Sequence, residues 1–117
     1  MVINGDEQLA LKARTAITDT DALKYVSIAS FWEIAIKVNL GKLNLDMPYV
    51  ELRQQMIGNG FEILPITFEH TARLIHLDLH HRDPFDRIII AQSLSDQLTL
   101  ISKDGNFGKY AQVKLLW

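Results

Sequence analysis

The sequence predicts an α/β sandwich, a mostly parallel β-sheet flanked by helices, on three observations. Short β-branched and aromatic runs alternate with longer amphipathic or apolar stretches. Each long stretch opens on a capping residue and closes on a turn cluster. In addition, 48% of the residues are hydrophobic and 22% charged over 117 residues, enough for the core of one domain spanning residues 1–117.

In chain order, residues 1–4 are too short for a strand and its connection, so the chain enters its fold on a helix. That helix covers residues 5–18, with Leu9, Ala13, Ala16 and Ile17 at helical spacing, and ends at the polar turn 18–21. Residues 24–28 read as a strand. Ser30 and Glu33 form a capping-box pattern opening a helix that runs to Leu40 and stops at Gly41. Asp46 and Pro48 start another helix, marked by Tyr49, Leu52 and Met56 and closed by residues 58–60. Residues 61–66 form a strand whose Pro65 favours a sheet edge or a strand end. Thr67 caps a helix with Phe68, Ala72, Ile75 and Leu79 as its buried side. Asp83 caps the next, with Pro84 at the first helical position, Asp86 at N3 and an apolar run from Ile88 to Ala91 that packs between other elements. Strands at 98–102 and 113–117, separated by the turn 103–106, complete the chain.

The composition narrows the function. A net charge of −2 provides no general attraction to nucleic acid or membrane, so any such contact needs a local basic patch or bound cations. With no cysteine, disulfide scaffolds, thiolate metal sites and cysteine catalysis are excluded. No apolar run approaches ~18 residues and no signal-peptide pattern opens the chain, which points to a soluble, cytoplasmic protein. Ser30, Ser93 and Ser102 have no histidine–acid arrangement for a serine hydrolase.

In parallel sheets, ligands bind beyond the carboxyl ends of the strands. Glu33 follows the strand at 24–28, Asp104 follows the strand at 98–102, and Asp86 lies on a helix N-terminus, so the three carboxylates can meet on one rim. Such a set suits a hard cation, Mg²⁺ or Mn²⁺, which takes oxygen ligands and commonly serves phosphate chemistry. Each acid also has a local alternative: Glu33 pairing with Lys37, Asp86 favouring the helix dipole, Asp104-Gly105 as a turn. Arg82, Arg87 and Lys103 flank the acids and can hold phosphates or pair with Asp83. His80 and His81 shape the loop before their helix, with metal binding by the loop pair as the alternative, and His70 and His76 are expected on the surface. Phe31, Trp32 and Trp117 are assigned to core packing, with base stacking as the alternative.

Taken together, Ser30 to Lys37 with Leu40 to Leu43, Leu64 to Thr67, His80 to Arg87 with Ile90 to Gln92, and Leu100 to Asp104 resemble the ordered motifs of PIN-domain ribonucleases, specifically VapC-type toxins of type II toxin–antitoxin pairs. The resemblance implies Glu33, Asp86 and Asp104 as catalytic metal ligands for Mg²⁺ or Mn²⁺, RNA as substrate, a VapB-type antitoxin as partner, and homodimerisation. It also implies a departure. The family's first strand ends in Leu-Asp-Thr-His and supplies a further metal-binding aspartate, and residues 1–6 contain no such segment. A PIN-like sandwich lacking that strand and most of its first helix is therefore expected. The alternatives are a non-catalytic remnant that binds antitoxin or RNA, and an unrelated α/β metal-dependent phosphatase or nuclease.

Overall fold

The computed structural model describes residues 2–3, 23–79, 83–101, 110 and 115–116. The described strands are β1 (Val2–Ile3), β2 (Lys24–Ser27), β3 (Phe61–Leu64), β4 (Leu100–Ile101) and β5 (Leu115–Leu116). They form one parallel sheet in the order β3-β2-β1-β4-β5. The described helices are α1 (Ile28–Asn39), α2 (Tyr49–Gly58), α3 (Phe68–Ile75) and α4 (Pro84–Ser95).

The centre of the sheet corrects one expectation. Where the sequence predicts no strand, β1 pairs with both neighbours: Val2 with Tyr25 and Leu100, Ile3 with Val26 and Ile101. These two residues give backbone partners to the central pair of β2, Tyr25 and Val26, and to both residues of β4, as buried peptide groups require. The helix expected over 5–18 and the turn 103–106 lie outside the described residues. β3 lies at the sheet edge, with Pro65 just past its end, as its sequence predicts.

β2 feeds α1 directly. Ser27 caps it, its Oγ accepting the Ala29 N–H at 3.1 Å, so the helix begins at Ile28 rather than after Ser30. The expected Ser30–Glu33 capping box is therefore absent: Ser30 lies in the first turn, its buried Oγ without a hydrogen-bond partner, and Glu33 lies mid-helix. The C-terminus follows expectation. Gly41 has φ +71°, and the Lys42 N–H reaches the Lys37 carbonyl at 2.8 Å while that of Gly41 reaches Val38 at 3.1 Å, a Schellman closure. α2 starts after Pro48 with no side-chain cap, so Asp46 does not take that role. Its Leu52 and Met56 pack on Val26, Phe31 and Phe61.

The buried face of α3 differs from the expected stripe. Phe68, Ile75 and Leu79 are exposed, while His70 is 1% exposed and Leu74 and Leu77 pack against the core. Local polar bonds set this phase: the Thr67 hydroxyl accepts the His70 N–H and the His70 ring accepts the Thr67 N–H, which pins the imidazole inward. α4 is the central core helix. Ile88 to Ser93 are all buried, and Ile88 to Ala91 join Ala29, Leu100 and Tyr110 in one cluster.

Candidate active site

The order β3-β2-β1-β4-β5 reverses direction at β1, and ligands in such sheets bind beyond the carboxyl ends near that point. α1 starts at the carboxyl end of β2. α4 runs back to the start of β4, so its N-terminus also faces this rim. Glu33 and Asp86 are carried by these two helices.

Asp83 Oδ1 accepts the N–H groups of Phe85 at 2.9 Å and Asp86 at 3.3 Å. Asp83 thus serves as the cap, and the carboxylate of Asp86 is not needed for that purpose. Asp86 remains at N3, partly buried, where the helix dipole favours its negative charge. On α1, the Glu33 carboxylate lies 3.2 Å from Lys37 Nζ in an i,i+4 pair, its side chain 28% exposed.

Besides the packing of Ala29 on Ile88–Ala91, a ring contact and a buried hydrogen bond join these helices. At the rim, the rings of Trp32 and Phe85 meet edge to face with centroids 5.0 Å apart. These residues immediately precede Glu33 and Asp86, so the ring contact brings the acid-bearing segments side by side. Deeper in, the fully buried Gln92 accepts a 2.5 Å hydrogen bond from Ser27 Oγ and donates to the Pro65 carbonyl at 3.1 Å. One α4 side chain therefore ties together the start of α1 and the exit of β3.

Arg87 has a structural role. Its Nη1 donates to the Asp78 carbonyl at 3.0 Å and to the Tyr110 hydroxyl at 3.2 Å, and its Nη2 donates to the Leu77 carbonyl at 3.3 Å. It holds the segment after α3 against α4. Arg82, Lys103, Asp104, His80, His81 and Trp117 lie outside the described residues. Among the described residues, no three His, Asp or Glu side chains are gathered closely enough to hold a metal ion.

Two sequence expectations change. Trp32 is 56% exposed rather than a core residue, although Phe31 is buried as expected. His70 is buried, with Nε2 3.0 Å from Asp96 Oδ2, whereas His76 is exposed as expected. The Ser27–Gln92–Pro65 chain is the feature that sequence reasoning missed; its only signal was a serine at the end of a strand.

A PIN domain model matches residues 1–113, nearly the whole chain. The chain belongs to the PIN-domain family. No curated protein matches it. Among solved structures, its fold is similar to that of a chain in the crystal structure of VapBC2 from Rickettsia felis bound to a DNA fragment from their promoter. That match has a TM-score of 0.64 at 13% sequence identity, covering 82% of this chain and 75% of the other. No helix among the described residues of this PIN domain is long and apolar enough to cross a membrane.

Proposed function

We propose that this PIN domain is a metal-dependent endoribonuclease toxin of the VapC type, cytoplasmic and paired with a VapB-type antitoxin. The observation that carries the reading is the Trp32–Phe85 contact, which sets the segments bearing Glu33 and Asp86 side by side at the rim while Asp83 does the capping. The donor chemistry fits a hard divalent cation: carboxylate oxygens, and no cysteine anywhere in the chain. Glu33, Asp86 and Asp104 would hold Mg²⁺ or Mn²⁺. When bound, the ion polarises the scissile phosphate and lowers the pKa of an attacking water. Lys37 offsets the charge of Glu33, and the α4 N-terminus favours that of Asp86. Arg82 and Lys103 are proposed as phosphate contacts. Arg87, engaged by two carbonyls and the Tyr110 hydroxyl, is left out of that set. The VapB-type partner is supported by the VapBC2 assembly in which the similar fold occurs.

A second reading, a non-catalytic PIN domain that binds antitoxin or RNA, is favoured by one observation. Val2 and Ile3 of β1 are followed in sequence by Asn4 and Gly5, where the family's first strand ends in Leu-Asp-Thr-His. Incubating the purified chain with structured RNA in Mg²⁺, Mn²⁺ or EDTA separates the two. Strand scission that requires the metal supports the nuclease; RNA binding with no scission under any of these conditions supports the second reading.

A further inference from the structure

Trp32 presents an aromatic surface that the core does not use. Its side chain is 56% exposed, although the residue before it, Phe31, is buried. It is also held in place, because the Phe85 ring lies 5.0 Å away at an interplanar angle of 83°. Phe85 is anchored in turn: its backbone N–H is bound by Asp83, and its ring packs on the Ile88–Ala91 cluster. An edge-to-face contact engages one edge or face of the indole and leaves other π-surface open. Phe85 belongs to the first turn of α4, so the indole lies at the rim, beside the helix N-terminus that carries Asp86.

We propose that Trp32 is a stacking platform for an unpaired nucleobase of single-stranded RNA, next to the phosphate presented to the acids. The inference rests on the nuclease reading and deepens it by assigning a base-contacting residue. The chain has a net charge of −2, so backbone attraction contributes little general affinity, and stacking supplies what charge does not. Stacking is also sequence-tolerant, because every base has a π-face. The platform therefore selects for an unstacked nucleotide rather than for a particular base.

The test measures binding without cleavage. A fluorescein-labelled, 2′-O-methyl single-stranded oligonucleotide is titrated by anisotropy in EDTA against wild-type protein, Trp32→Phe and Trp32→Ala, alongside an oligonucleotide with abasic sites. Trp32→Ala is expected to weaken binding of the intact oligonucleotide by about 5- to 150-fold. Trp32→Phe should lose less, and the abasic oligonucleotide should bind wild type and Trp32→Ala alike. Circular dichroism establishes that the variants are folded. Equal affinity of folded Trp32→Ala and wild type, no binding by wild type, or equal weakening for the abasic oligonucleotide would each overturn the proposal. Base-dependent binding by wild type without metal-dependent scission would sink the nuclease reading alone. Scission with unchanged binding in Trp32→Ala would sink the stacking platform alone.

Discussion

The Ser27 hydroxyl donates a 2.5 Å hydrogen bond to the side-chain oxygen of Gln92, 65 residues further along the chain. The same hydroxyl accepts the Ala29 N–H, so a single oxygen starts α1 and joins it to α4. With the Gln92 amide donating to the Pro65 carbonyl, three segments meet at one fully buried side chain. The relative placement of Glu33 and Asp86 depends on this junction as well as on the Trp32–Phe85 contact above it.

Replacing Gln92 with Leu leaves the O–H of buried Ser27 without an acceptor, although its oxygen keeps the Ala29 N–H, and removes the part-buried hydrogen bond to the Pro65 carbonyl. The orphaned buried hydroxyl costs ~1–3 kcal/mol and the lost part-buried bond ~0.5–1.5 kcal/mol, so a combined loss of about 1.5–4.5 kcal/mol is expected by urea denaturation. Gln92→Glu should not rescue it, because it keeps an acceptor for Ser27 but removes the donor to Pro65 and buries a carboxyl group. A loss below ~0.5 kcal/mol for Gln92→Leu would show that the junction is not structurally important.

His70 makes a second testable connection. Its Nδ1 accepts the Thr67 N–H at 3.0 Å, so the ring proton resides on Nε2 and points to Asp96 Oδ2, also at 3.0 Å. The imidazole thereby links the start of α3 to the residue that ends α4. His70→Phe should cost about 1–3 kcal/mol, chiefly for the unpaired Thr67 N–H, whereas His76→Phe at an exposed position should stay within ~0.5 kcal/mol. Equal melting temperatures for the two variants would contradict the buried role.

Arg87 spans the Leu77 carbonyl, the Asp78 carbonyl and the Tyr110 hydroxyl with two nitrogens of one guanidinium. A lysine ammonium cannot reproduce that fork. Arg87→Lys should therefore lower stability by roughly 1–2 kcal/mol while leaving the KM for RNA unchanged at temperatures where the variant is folded. A raised KM with unaltered stability would instead make Arg87 a phosphate contact.

Much of this architecture is legible in the sequence, where local chemistry dictates it. Asp83-Pro84 marks the start of α4, Thr67 the start of α3 and Gly41 the end of α1, because each residue type satisfies a specific helix-end requirement. Pro65 likewise marks β3 as an edge strand. Failures occur where tertiary bonds outweigh local pattern. Ser30 and Glu33 form a plausible capping box, yet Ser27 is the residue that also has Gln92 to bond, and α1 starts one turn earlier. Phe68, Ile75 and Leu79 form a plausible apolar stripe, yet the His70 bonds rotate the helix away from it. β1 escapes a reading based on run length, since two residues are enough when both neighbours supply partners. For the candidate site, the sequence singles out Glu33 and Asp86, but neither the exposure of Trp32 nor the Gln92 junction can be read from it, because both depend on how α1 meets α4.

The proposed function makes Asp86 a metal ligand for RNA cleavage, with Asp83 as the helix cap. The most direct measurement is the rate of scission of a labelled RNA in Mn²⁺ by wild-type protein and by Asp86→Asn, with thermal melts of both. With Asp86 as a metal ligand, Asp86→Asn is expected to melt within a few degrees of wild type while its rate falls on the order of 10²-fold or more. Scission by folded Asp86→Asn at the wild-type rate would contradict that role.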